Sequence, residues 1–218
     1  MSPTQRITVE ERVKEPCNSN WDLRGLNPFV DFRFSYNPTE IVEASKKVLK
    51  GEEAYVSGRT IFPLTSADLL IQECEREYKN KVGQYNQKTK TITINVPYLL
   101  GLEMPRLASI YTQRIISHED AHAQFLDLEE IKRANIYLSF LLQEKFPKMK
   151  EVLIKNRPSY SRFSNMGLIT ELIAHAGERF FAKTTGKECF IDAFNSQDYE
   201  KMLDKISEDF FVLSKGEK

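Results

Sequence analysis

The sequence predicts a predominantly helical α+β fold, a single domain whose small antiparallel sheet precedes its longest helix. Three observations lead there. Apolar residues recur at three- and four-residue spacing through most of the chain after Thr39, while Thr91-Ile92-Thr93-Ile94-Asn95-Val96 alternates strictly, the mark of a half-buried strand. The longest helical pattern begins soon afterwards, at Pro105.

The 218 residues suffice to bury a core without disulfide staples, and an apolar share of 41% with 28% charged residues is that of an ordinary globular protein. Lys+Arg and Asp+Glu balance at 31 each, so no overall field draws the chain to nucleic acid or an acidic membrane. No apolar run approaches the ~20 residues of a membrane helix. Cys17, Cys74 and Cys189 are scattered and odd in number, and the N-terminal MSPTQRITVEERVKEP is polar. A cytoplasmic, reducing setting is the expectation.

Residues 1–35 mix Pro, Asn and Gly with Trp21, Phe29, Phe32 and Phe34 and read as an irregular arm, with a short strand at Phe32–Tyr36; residues 36–218 form the domain proper. A helix starts with Thr39 as N-cap, turns Ile41, Val42, Val48 and Leu49 inward, and stops at Gly51. A second runs from Ser66 to about Asn80. Strand Thr91–Val96 ends at Pro97, with Val82–Asn86 as its hairpin partner across a turn at 86–90. From Pro105 to about Leu126, the residues Leu107, Ile110, Tyr111, Ile115, Ile116 and Phe125 form an apolar stripe. Further helices are expected near 128–145, 147–155, 164–184 and 196–213, with a loop at 156–164.

The chemistry concentrates in His118-Glu119-Asp120-Ala121-His122. Residues four apart stand above one another on a helix, so both imidazoles reach one ion. Glu119 is rotated about 100° from His118, beside the metal and not on it, where it can take a proton from a water that the metal acidifies. Catalytic zinc wants a third protein ligand. The only other histidine, His175, lies in Thr170-Glu171-Leu172-Ile173-Ala174-His175-Ala176-Gly177-Glu178, and Glu171, His175 and Glu178 project from one helical face.

The HEDAH segment with a glutamate on a later helix resembles the zincin metallopeptidases, in the gluzincin arrangement. The resemblance implies a Zn2+ site with His118, His122 and Glu171 as ligands, Glu119 as general base and a peptide or protein substrate laid along a strand, here Thr91–Val96. It covers the five-residue motif and a loose downstream pattern. The acidic residue usual four places after the ligand glutamate is replaced by His175, and Leu128 stands where a metzincin would have its third histidine. With Glu171 as ligand, His175 is left to orient a ligand or stabilise an oxyanion as a catalytic residue; with His175 as ligand, Glu171 supports it; Glu178 is a third choice. Arg157, Tyr160 and Arg179 could polarise a carbonyl. Two other readings remain at this level: a non-catalytic or regulatory metal protein on the same scaffold, and a di-iron bundle built on Glu119-x-x-His122, which lacks a second Glu-x-x-His because Glu171 and His175 are one residue too far apart.

Overall fold

Four paired strands, a long helix laid against them and a second long helix crossing the first make the frame that holds the HEDAH segment. The computed structural model describes residues 33–68, 81–102, 105–186 and 197–213. Most of the arm expected at 1–35, all three cysteines and all but the first turn of the helix expected at Ser66–Asn80 lie outside the described residues.

Strand β1 (Phe34–Tyr36) pairs in parallel with β6 (Phe211–Leu213). The strand expected at Phe32–Tyr36 is there, and it straddles the expected boundary between arm and domain. Phe34 and Tyr36 pack on Phe210 and Phe211 with ring centroids 5.1–5.8 Å apart. Helix α1 (Pro38–Leu49) starts at Asn37, whose side-chain oxygen accepts the N–H groups of Thr39 and Glu40. This corrects the assignment of Thr39 as cap: Asn37 can cap because Pro38 occupies the first helical position, where its missing N–H costs nothing. Gly51, at φ +79°, closes the helix end as expected.

A hairpin not foreseen follows. In it β2 (Ala54–Val56) and β3 (Arg59–Leu64) are joined by Ser57 and Gly58, both at positive φ (51° and 76°). That two-residue turn has the twist hairpins require. The expected hairpin also forms, from β4 (Gly83–Asn86) and β5 (Thr91–Asn95). The sheet order is β2-β3-β5-β4, and β3 runs parallel to β5. The sheet is therefore mixed where an antiparallel one was expected, because the chain between β3 and β5 is long enough for a crossover. Since β5 is bonded on both sides, it cannot be the substrate edge suggested for Thr91–Val96; among the described residues the edge strands of this sheet are β2 and β4.

Asn95 caps the short helix α2 (Val96–Leu100), its side chain accepting the Tyr98 N–H, so the strand ends at Asn95, one residue before the expected Val96, by turning straight into a helix that contains Pro97. Helix α3 (Pro105–Leu126) has the expected bounds. Ile116 and Phe125 are buried, but Leu107 and Tyr111 are exposed, because this end of α3 buries Ala108 and Thr112 instead. Helices α4 (Glu130–Leu141) and α5 (Phe146–Asn156) lead to a 3-10 turn at Pro158–Arg162, where a loop was expected. Helix α6 (Asn165–Thr185) is capped by Ser164 and closed by Gly186. Helix α7 (Gln197–Phe210) ends three residues earlier than expected and becomes β6. Among the described residues, no helix is long and apolar enough to cross a membrane.

The site depends on how closely α3 and α6 approach. At their crossing, a Cβ on Gly177 would lie 2.7 Å from the Ala121 Cβ and 2.6 Å from the Tyr36 hydroxyl oxygen. Ordinary carbon contacts are ~3.5–4.0 Å, so only glycine fits. Tyr36 in turn donates to the carbonyl of Ser117 at 2.5 Å, one residue before the first histidine of the motif.

Candidate metal centre

Helix α3 presents two faces to the site, and the rear one sets its position. Asp120, fully buried, accepts from Gln124 Nε2 (2.5 Å), Ser57 Oγ (3.2 Å) and Arg59 Nη1 (3.3 Å). The same guanidinium reaches Asp127 at 3.1 Å, and the Tyr85 hydroxyl donates to Asp127 at 2.8 Å. Strand β3 thus grips α3 through Arg59, and β4 grips it through Tyr85. The Tyr85 backbone N–H also bonds the Glu119 carboxylate. This arrangement needs Gly83 on β4, where a Cβ would fall 2.4 Å from Ile115 Cγ2 and 3.3 Å from Glu119 Oε1.

On the forward face, the Nε2 atoms of His118 and His122 converge to 3.0 Å. Glu171, from α6, places one carboxylate oxygen 3.6 Å from His118 Nε2 and the other 3.6 Å from His122 Nε2. Tyr160 donates its hydroxyl to Glu171 at 2.7 Å. Behind His118 lies a second carboxylate: Glu178 Oε1 is 2.5 Å from His118 Nδ1 and 3.2 Å from His175 Nδ1, while Oε2 accepts from Arg114 Nε at 2.5 Å. One buried carboxylate therefore serves two imidazoles and a guanidinium. His122 Nδ1 is buried with no hydrogen-bond partner among the described residues.

Packing so many titratable groups together displaces their ordinary proton affinities. Burial opposes charge on His118, but hydrogen bonds to Glu171 and Glu178 outweigh it and carry its pKa to about 10. Burial, reinforced by the neighbouring His118 charge, drops His122 to about 3. Burial also lowers His175, against the pull of Glu178. Glu119 is raised to about 7, mainly by burial and despite the His118 charge. Burial alone would raise Glu171 and Glu178. The histidines and Tyr160 instead hold Glu171 at about 2, and Arg114 and His175 hold Glu178 well below the usual carboxylate range. The cluster is anion-rich and already draws positive charge to its centre, so a cation bound there would displace a proton from His118.

Two overlapping groups among the described residues could hold a metal ion: His118, His122 and Glu171, and His118, His175 and Glu178, each with its ligand atoms within 4.8 Å of one another. His118, Glu119, His122, Glu171 and His175 meet here, as does Glu178; of the groups offered to polarise a carbonyl, Tyr160 reaches Glu171 while Arg179 is tied to Asp204. Arg114 was missed, although it lies one turn before His118 on the same face and spacing could have found it. Nothing in the sequence pointed to Arg59 or Tyr85, which arrive from other elements. No family model, curated protein or solved structure matches the chain.

Proposed function

We propose that the protein is a zinc-dependent hydrolase, a zincin-like metallopeptidase with the gluzincin ligand set His118, His122 and Glu171. The observation that supports it best is the convergence of these donors: the two Nε2 atoms stand 3.0 Å apart, and each has one of the two Glu171 oxygens at 3.6 Å. Donors about 2.0–2.1 Å from a tetrahedral ion stand roughly 3.4 Å apart, and these separations lie close to that value. In the other group Glu178 already shares its charge with Arg114, and a cation beside a guanidinium is unfavourable. Glu178 is better suited to orient His118 through Nδ1, leaving Nε2 free for the ion. His175, bound to the same carboxylate oxygen, then belongs to the support of His118 rather than to the ligand set.

Bound zinc supplies Lewis acidity, polarising a carbonyl and making a coordinated water acidic near neutral pH. The chain's own groups do the rest. Glu119, buried beside these ligands and held by the Tyr85 N–H, would take a proton from the attacking water and return it to the departing nitrogen. The Tyr160 hydroxyl stands by Glu171, within reach of a carbonyl oxygen at the centre. Among the described residues strand β4 is an edge of the sheet, with its Tyr85 N–H taken by Glu119. Asn95 N–H bonds the Val82 carbonyl, so pairing alternates along the hairpin and the peptide groups of Gly83 and Tyr85 face away from β5, toward Glu119. An extended peptide added to that edge would pass the reacting groups. The scattered cysteines fit a cytoplasmic home for the enzyme.

The test is metal analysis joined to turnover. Wild type should hold one zinc per chain, Glu171→Ala should lose it, and His175→Ala should keep most of it. Glu119→Gln should keep the metal and lose all hydrolysis of a peptide library. Metal-replete wild type without turnover would favour the non-catalytic, regulatory reading, and two irons per chain would favour the bundle.

A further inference from the structure

The 3-10 turn at Pro158–Arg162 carries more than Tyr160. Its hydrogen bonds run from Tyr160 N–H to the Arg157 carbonyl and from Phe163 N–H to the Tyr160 carbonyl, both 2.9 Å and both spanning three residues. Arg157 and Phe163 flank the turn as its N-cap and C-cap, each one turn from Tyr160 and so roughly 6 Å from it along the turn, with Arg157 at non-helical dihedrals (φ −134°, ψ 81°). The rings of Tyr160 and Phe163 stand 5.0 Å apart. The hydroxyl of the middle member, Tyr160, is 2.7 Å from the Glu171 carboxylate. Phe163 is 42% exposed, large for an aromatic ring beside a buried cluster. Arg157 is exposed too, forms no ion pair among the described residues, and its charge is felt at the Tyr160 hydroxyl. Other cations near the cluster are committed: Arg114 to Glu178, Arg59 to Asp120 and Asp127, Arg179 to Asp204.

We propose that Arg157, Tyr160 and Phe163 form the substrate-recognition surface of the metal centre, in which Arg157 pairs with a substrate carboxylate and Phe163 packs on an apolar side chain on the opposite side of the cleaved bond. This rests on the peptidase reading above and adds a substrate class to it. A spacing of roughly 6 Å corresponds to about two residues of extended chain. A guanidinium that far from Tyr160 meets a carboxylate within a few residues of a carbonyl placed at the hydroxyl. Two sources supply that group: the C-terminus of a short peptide, or an Asp or Glu side chain.

The experiment uses full-length, zinc-loaded protein and labelled peptides of one sequence in three forms: free C-terminal acid with an internal Glu, C-terminal amide with the Glu, and free acid with Gln in its place. Binding is measured on Glu119→Gln by fluorescence anisotropy, and turnover on wild type by mass spectrometry. Loss of the recognised carboxylate should weaken binding by roughly tenfold or more, the usual effect of a charge-assisted pair. Loss through the amide identifies the terminus, and loss through Gln the side chain. Adding Arg157→Ala should weaken the carboxylate form by the same factor and leave the neutral form unchanged, while Arg157→Lys retains part of the preference. Phe163→Ala should weaken all three forms alike. Equal binding of all forms, or an Arg157→Ala effect that ignores the carboxylate, overturns the proposal, and turnover in that case would leave the peptidase reading standing. Carboxylate-selective binding without any turnover would sink the peptidase reading and keep the recognition surface. Binding of none of the peptides overturns the proposal.

Discussion

Replacing Gly177 by alanine inserts a methyl group where α3 and α6 meet, 2.7 Å from the Ala121 Cβ and 2.6 Å from the Tyr36 hydroxyl. In an uncrowded helix the change would stabilise by about 1 kcal/mol, since glycine is that much the poorer helix former. Here a carbon pair at 2.7 Å must open by about 1 Å to reach ordinary contact, and overpacking of this kind costs about 1–3 kcal/mol. With two such contacts on opposite sides, the packing cost exceeds the gain, and a net loss of about 1–2 kcal/mol is expected. The metal site should suffer more than the fold. A 1 Å separation of α3 from α6 moves Glu171 and Glu178, both on α6, away from the two histidines on α3. Urea unfolding in chelator measures the first effect. A competitive zinc titration measures the second, expected as an affinity loss of about tenfold or more. Ala121→Gly in the same background should recover part of that affinity. A Gly177→Ala protein that is more stable by about 1 kcal/mol, with unchanged zinc affinity, would refute the claim that this crossing sets the ligand geometry.

Three further expectations follow from the same geometry. Glu178→Gln keeps the shape but removes the charge that orients His118 and neutralises Arg114, so zinc affinity should fall about 10–100-fold in the same titration, and an unchanged affinity would show that Glu178 does not orient the ligand. Arg59→Leu strips the fully buried Asp120 of its cation and should cost about 3 kcal/mol in urea unfolding, with Arg59→Leu/Asp120→Leu recovering much of it. Asp204 tests acid behaviour: burial raises its pKa, but hydrogen bonds from Arg179 and Lys183 outweigh that and hold it below the ordinary value. A lowered folded value stabilises above the unfolded pKa of about 3.9 and is lost as pH falls through the folded one. The stability gap between wild type and Asp204→Asn should therefore be full at neutral pH and shrink below about pH 4, and a gap independent of pH would contradict the assignment.

What could be read from the chain without coordinates was whatever local spacing decides. The bounds of α3 and the shared face of His118 and His122 follow from one helical period, and so does the alignment of Glu171, His175 and Glu178 on α6. The division of labour between Glu171 and Glu178 did not follow. Spacing puts both on one face, and only the crossing at Gly177 decides which meets the Nε2 pair and which sits behind His118. The β2–β3 hairpin carried a legible signal in Ser57-Gly58 between alternating segments. Its parallel pairing with β5 did not, because that depends on a crossover whose path no local pattern specifies. Asn37 displaced Thr39 as cap for a local reason, the proline between them. Arg59 and Tyr85 support the motif from strands distant in sequence, where periodicity is silent.

The pairing of β1 with β6 bears on how the molecule is made. About 175 residues separate these strands, so on the ribosome β1 must wait for β6 to emerge before it finds its mate, and the closure entropy of so long a loop is met only then. Tyr36 rides on that early strand and touches the backbone just ahead of His118. Helices α3 and α6 can dock beforehand, but their final seating is deferred until β6 has been made and has paired with β1.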